Sequence, residues 1–340
     1  MLFFRKLRNV LLFPGLAALG GCGKAVLLSP SGDVALQLRD IILVSTGLML
    51  LIIVPVIAAT LWFAWRYRES NTSHPYTPDA DHSTILELLI WAAPLLIIIA
   101  LSALTWVSTH KLDVYRPLER LDAQRPVPAD TRPLEVQVVA LDWKWLFLYP
   151  EQGIATVNEL AAPVDRPIEF KITASSVMNS FFIPALAGQV YAMPGMQTRL
   201  HAVINHPGVY EGFSANYSGA GFSQMRFKFH GLSQAEFEQW VRAGKAAGKT
   251  LDPAAYRVLA QPSVAAPVQR FGAVDPGLYQ AILRRCMQPG GNCTSDRSPP
   301  DTSIHADVDA DNICRAPRQA RLETQPQSMN TAAANAATAM

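Results

Sequence analysis

The sequence predicts a hairpin of two membrane-crossing α-helices joined to an exported all-β domain, with short C-terminal helices and a disordered tail. Three observations predict it. Residues 41–65 and 85–109 are two runs of 25 positions that hold one charged side chain between them, Glu87. Residues 132–230 break into short runs bounded by Pro, Gly and Asn, several alternating apolar with polar side chains at the period of a half-buried strand. Half of the 340 residues are hydrophobic and only 16% are charged, too apolar a balance for an ordinary soluble enzyme. Lys and Arg number 29 against 27 Asp and Glu, so charge gives no reason to expect a nucleic-acid partner.

The N-terminus carries Arg5, Lys6 and Arg8, then an apolar run interrupted by Pro14, then Leu19-Gly20-Gly21-Cys22. That order reads as a signal peptide over residues 1–21, because the apolar run is about half of the ~20 residues a spanning helix needs; the alternative is a third membrane span. The cysteine after small residues resembles the bacterial lipoprotein signal, in which the sulfur accepts a diacylglyceryl group. The alternative for Cys22 is an ordinary buried or free thiol. Residues 22–40 then form an N-terminal segment outside the cytoplasm.

Residues 41–65 and 85–109 are each long enough, at about 1.5 Å per residue, to cross a ~30 Å hydrocarbon core. Pro55 and Pro94 kink such helices without vetoing them, and Trp62, Trp65, Trp91 and Trp106 lie toward the span ends. The flanking charges do not fix the orientation. The anchor at Cys22 does: it puts residues 66–84 in the cytoplasm and residues 110–340 in the periplasm of a bacterial inner membrane.

Residues 134–141, 143–149, 168–174, 198–204, 208–214 and 224–230 read as strands of a compact antiparallel sandwich filling residues 110–230. Ser233 and Glu236 have capping-box spacing, opening a helix with Phe237, Trp240 and Val241 on one face. Asp252-Pro253 and Asp275-Pro276 look like two further helix starts in an extension over residues 231–285. Residues 286–340 have scarcely a bulky apolar side chain and read as disordered. Of Cys286, Cys293 and Cys314, one pair can close in an oxidising compartment; a metal site is the alternative, and the spacing fits no compact ligand set.

The helical hairpin, Asp142-Trp143-Lys144-Trp145, Val177-Met178-Asn179-Ser180-Phe181, Met193-Pro194-Gly195-Met196 and the stretch 207–212 come in the order found in subunit II of the haem-copper terminal oxidases, which this chain resembles over about residues 30–250. The resemblance implies a cupredoxin-like Greek-key barrel. In the cytochrome c-oxidising branch, that barrel holds a dinuclear copper centre. Its ligand pattern falls here on Asn179, Ser214, Ser218, Phe222 and Met225, so four of the five side-chain ligands are replaced and only the thioether remains. No cysteine occurs between residues 23 and 285, and copper of this type needs thiolate. Asn216 stands where the copper branch has a carboxylate, which also removes support for a nearby magnesium site. His201, His206 and His230 remain, and histidines in strands and turns are more often hydrogen-bonded than ligands.

Loss of the ligands on a retained scaffold is similar to the quinol-oxidising, bo-type branch. The resemblance implies that haem, copper and quinol chemistry belong to subunit I, that this chain holds no cofactor, and that its partners are subunit I, the other subunits, membrane lipid and, through the complex, ubiquinol. Glu87 corresponds to a family glutamate near a proton-input channel of subunit I, four residues before Trp91; the alternative is a carboxylate that reaches interfacial water. Trp143 and Trp145 occupy positions linked to electron transfer in the copper branch and are expected here in packing or in contact with subunit I. The alternatives are a copper-bearing cytochrome c oxidase subunit II and a membrane-anchored periplasmic binding or structural lipoprotein.

Overall fold

The computed structural model describes residues 25–71 and 82–287. Cys22, Cys293, Cys314, most of the segment 66–84 and the tail from residue 288 lie outside the described residues. Helices α1 (Asp33–Arg66) and α2 (Thr84–Lys111) are long and apolar enough to cross a membrane. Within the charge-free run of α1 the half-buried positions are Ile41, Ser45, Leu48, Ile52 and Ala59; in α2 they include Ala93, Ile97, Leu101, Leu104 and Ser108. Spacings of three and four residues make these the seam of a helix pair. The other faces are exposed and apolar, as surfaces that meet lipid or a partner must be.

Helix α1 begins eight residues before the charge-free run, so the segment 22–40 supplies its first two turns. Asp33 explains the difference. A carboxylate in the first turn is favoured by the helix dipole, and this one is buried where Arg120 donates to it through Nε (2.9 Å) and Nη2 (3.1 Å) and Gln37 through Nε2 (2.7 Å). Just upstream, the amides of Ser31 and Gly32 donate to the Ala185 carbonyl. A Cβ on Gly32 would lie 2.6 Å from the carbonyl oxygens of Leu186 and Val203, so only glycine fits there.

The β domain comprises β1 (Leu134–Leu141), β2 (Lys144–Tyr149), β3 (Ile154–Val157), β4 (Glu159–Pro163), β5 (Ile168–Ala174), β6 (Asn179–Phe182), β7 (Val190–Ala192), β8 (Thr198–Ala202), β9 (Gly208–Ser214) and β10 (Arg226–Leu232). An extension adds α3 (Gln234–Lys245), β11 (Thr250–Leu251), α4 (Pro253–Leu259), β12 (Gln269–Phe271), β13 (Ala273–Val274) and α5 (Leu278–Leu283). One sheet runs β12-β3-β2-β1-β5-β8 and the other β4-β10-β9-β6-β7. This is the cupredoxin-like arrangement the resemblance implied.

The sandwich is not wholly antiparallel as expected. Strand β1 pairs in parallel with β5, and β4 with β10, because Greek-key connections carry the chain across the sandwich before it returns to the neighbouring edge. The 231–285 extension is likewise not purely helical: β12 pairs with β3 and extends the main sheet. Strand β2 is buried at all six positions. Trp145, Phe147 and Tyr149 enter the core between the sheets, while Leu146 and Leu148 face a second core closed by Tyr256, Leu259, Leu278 and Ile282 of α4 and α5.

Two of the three expected helix starts form as read. Ser233 and Glu236 make both bonds of the capping box, and Asp252 Oδ1 accepts from the Ala255 amide at 2.7 Å ahead of Pro253. The third differs: α5 starts at Leu278 with Gly277 as its N-cap, and Asp275 instead accepts the Gly277 amide through Oδ1 at 2.8 Å. An Asx turn has taken the carboxylate one step before the helix. Cys286 is disulfide-bonded.

Candidate functional site

Asn179 opens β6 and Ser214 closes β9, and the two strands pair so that Phe181 lies opposite Ser214. Met225 follows the short 3-10 turn at Phe222–Gln224, and its carbonyl accepts the Ser214 amide at 3.1 Å. Three of the five family ligand positions, Asn179, Ser214 and Met225, are thereby brought together in the interior, each at most 3% exposed. The Ser214 hydroxyl is within hydrogen-bond distance of Asn179 Oδ1 (3.1 Å) and of the Asn216 carbonyl (3.2 Å), while Asn179 Nδ2 donates to the Val177 carbonyl. Ser218 and Phe222 lie in the adjoining loop and turn. The Ser218 hydroxyl is enclosed without a hydrogen-bond partner, and Phe222 packs edge-on against Tyr217 at 5.7 Å.

This donor set is an amide, two hydroxyls and a thioether, with a phenyl ring at the fifth position. Neutral hydroxyl and amide oxygens are hard, weak donors, and thiolate and imidazole are what a dinuclear copper centre requires. The residues do not fit such a centre. Asn179 and Ser214 satisfy one another, which is how buried polar groups avoid a desolvation cost of about 1–3 kcal/mol each. Among the described residues, no group of three or more His, Cys, Asp and Glu side chains is gathered as a metal would need.

The four residues of Asp142-Trp143-Lys144-Trp145 have separate anchors. Asp142 accepts from the Ser176 hydroxyl. Trp143 sits in the tight turn between β1 and β2 at φ 65°, in the left-handed region that bulky side chains rarely adopt. Its Nε1 donates to the Ser218 carbonyl at 3.1 Å, and its ring lies on Gly219 and Gly221; a Cβ on Gly221 would come within 2.5 Å of the indole. Lys144 is buried and donates to the Gln261 carbonyl at 2.7 Å and to the Ser263 hydroxyl, and burial lowers its pKa. Trp145 has no exposed surface. The structure therefore separates the two tryptophans: Trp145 is core and presents no face to a partner, whereas Trp143 is half-buried against the loop that carries Ser218.

Glu87 lies in the first turn of α2, about half exposed, and Oε1 meets His82 Nδ1 at 2.5 Å. His82 carries no motif that marks it in the sequence. Its only signal was a titratable side chain five positions before the glutamate, just ahead of the helix start. Trp91 lies one turn further along α2 and is strongly exposed, so it shares the Glu87 face.

The histidines His201, His206 and His230 are not gathered in any metal-binding group among the described residues. His201 lies in β8 opposite Glu169 of β5. Burial pushes its imidazole below the ordinary histidine range, with Glu169 opposing and Arg199 reinforcing the shift. A base whose folded pKa is depressed contributes full stability above its unfolded pKa, and that stability is lost as pH falls below about 6.5. His201→Gln should flatten this acid-side loss in a melting-temperature series from pH 7.5 downward; an unchanged slope would contradict the assignment. His230 stands 3.5 Å from Glu159 without a well-aligned hydrogen bond.

Comparison with known proteins follows the same lines. The family described as cytochrome c oxidase subunit II, periplasmic domain, matches residues 134–231, and the COX aromatic rich motif matches residues 245–290. The chain is 49% identical over 280 residues to cytochrome bo(3) ubiquinol oxidase subunit 2 of Pseudomonas putida, covering 82% of this chain and 86% of that one. It is 49% identical over 277 residues to ubiquinol oxidase subunit 2 of Acetobacter aceti, covering 79% and 88%. Among solved structures, the periplasmic domain of subunit II of cytochrome oxidase of Bradyrhizobium japonicum matches with 22% identity and a TM-score of 0.33, over 35% of this chain and 96% of that one.

Proposed function

The chain belongs to the subunit II family of the haem-copper oxidases, on its bo-type ubiquinol-oxidase side, and from that premise we propose that it works without a copper centre of its own in a proton-pumping ubiquinol oxidase. Its two helices lie in the inner membrane and its β domain covers the periplasmic face of the complex. Subunit I carries the haem, the copper and the quinol chemistry, and this chain stabilises subunit I. Partners are subunit I, the remaining subunits, membrane lipid and, through the complex, ubiquinol; no nucleic acid is involved. Cys22 carries the lipid anchor.

The observation that carries this reading is the Ser214–Asn179 hydrogen bond, which joins two of the five ligand positions to each other on a retained scaffold. Each hydroxyl or amide there is neutral at physiological pH, so the pocket offers no charge to stabilise copper, and electrons from a membrane-soluble donor bypass it. Incubating the purified full chain with copper under reducing and oxidising conditions should leave less than one copper bound and no intense visible bands. Two coppers per chain would overturn the reading.

For Glu87 we propose a place at the cytoplasmic mouth of the proton-input path, with His82 as its hydrogen-bond partner. A carboxylate and an imidazole in hydrogen-bond contact offer a proton acceptor and a proton donor side by side, the geometry that a proton relay needs. Glu87→Ala should slow proton uptake linked to turnover several-fold while the complex still assembles. Unchanged turnover and unchanged pumping would leave Glu87 as a surface carboxylate.

A further inference from the structure

Where α1, α2 and the β domain meet, the chain forms a partly open cavity of about 270 Å³. Its floor is apolar, with Val34 and Leu38 from α1, Val114 from the segment after α2, and Leu200 from β8. Its charged lining includes Lys111, Asp113, Arg116 and Glu119, together with the Asp33–Arg120 pair.

The height of this cavity follows from the helices. Leu38 is three residues outside the charge-free run of α1 and Lys111 two residues outside that of α2, about 5 Å and 3 Å along the helix axes. The polar layer on each side of a bilayer is about 5–8 Å deep. The lining therefore stands at the level of the outer-leaflet headgroups, which rests on the membrane placement proposed above.

The charges sort into used and unused. Arg116 pairs with Glu119 and Arg120 with Asp33. Among the described residues, Lys111 and Asp113 have no ion pair, and Asp113 spends only Oδ1 on the Tyr115 amide. One spare ammonium and one spare carboxylate around an apolar floor match a ligand that carries a phosphate, an ammonium and an aliphatic stem. We propose that this cavity holds the headgroup of a zwitterionic phospholipid, its phosphate on Lys111, its ammonium toward Asp113, and its glycerol and first methylenes over Leu38 and Leu200.

The test is native mass spectrometry of the full chain in its complex, after reconstitution into bilayers of phosphatidylethanolamine or of phosphatidylglycerol and graded detergent exchange. Wild type should retain one more phosphatidylethanolamine per chain than the double variant Lys111→Gln, Asp113→Asn, and should not retain phosphatidylglycerol in its place. Leu38→Trp, which fills the floor and leaves the rim intact, should expel the same lipid. Equal lipid counts in wild type and both variants would overturn the proposal. So would an extra mass equal to inorganic phosphate in place of the lipid's, which would identify a free anion, or cross-linking of Lys111 to another subunit across a lipid-free cavity. A wild-type chain recovered in the soluble fraction would instead overturn the membrane placement itself.

Discussion

Trp145→Ala is expected to destabilise the β domain by about 3–5 kcal/mol, the usual cost of emptying a large aromatic site in a close-packed core. A domain of this size has about 5–15 kcal/mol in total, so the variant should lose a large part of its margin. The indole is fully buried, edge-on to Phe181 at 5.3 Å and to Phe227 at 5.9 Å, and those two rings stack on one another at 5.5 Å. Removing it takes the shared neighbour from an aromatic cluster that also contains Phe147 and Phe170. Trp145→Phe should cost much less, about 1.5 kcal/mol or below, because most of the ring volume stays and the lost Nε1 has no hydrogen-bond partner. Denaturant unfolding of the full chain in detergent, followed by near-UV circular dichroism, measures both. Equal midpoints for wild type and Trp145→Ala would mean that the residue is not part of a closed core.

The second large effect is an asymmetry. Arg270 of β12 donates twice to Glu159 of β4, at 2.8 and 2.9 Å, tying the C-terminal extension to the sandwich. The Glu159 side chain is 10% exposed and that of Arg270 34% exposed. Arg270→Ala leaves a buried carboxylate without its guanidinium and should cost about 3 kcal/mol, toward the lower end of the range for broken buried pairs. Glu159→Gln leaves a guanidinium that can turn to water and should cost about 1 kcal/mol. The difference should appear as faster amide exchange across β12 and β3, and equal effects of the two substitutions would contradict the burial argument.

Much of this fold was legible because its signals are local. Strands β1, β5 and β9 begin and end where the runs do, since a proline precedes each and at least one face of each meets the core. The capping box at Ser233 needs only two residues three apart. What escaped is non-local. Nothing in residues 134–141 or 168–174 announces that the two strands run parallel, and the Ala-rich Glu159–Pro163 is buried at every position and so has no alternation to read. Strand β12 exists because β3 offers it an edge.

The site divides in the same way. The replaced ligand positions could be identified from motif order, and the structure brings Asn179, Ser214 and Met225 together. Trp143 and Trp145 could not be told apart, because residues two apart share a face only while the strand continues, and Trp143 stands in the turn. Asp33 was hidden because its partner Arg120 is 87 residues away. The contact between Glu87 and His82 depends on where α2 starts, a boundary that the apolar run alone does not fix.

The account turns on which donor the complex uses. Purifying the intact complex through a tag on this chain, and following oxygen consumption with ubiquinol or with ferrocytochrome c as the sole electron donor, tests it most directly. The predicted result is a co-purifying haem-containing large subunit and rapid oxygen consumption with ubiquinol, with none from ferrocytochrome c. Oxygen consumption driven by ferrocytochrome c, with copper bound on this chain, would contradict it.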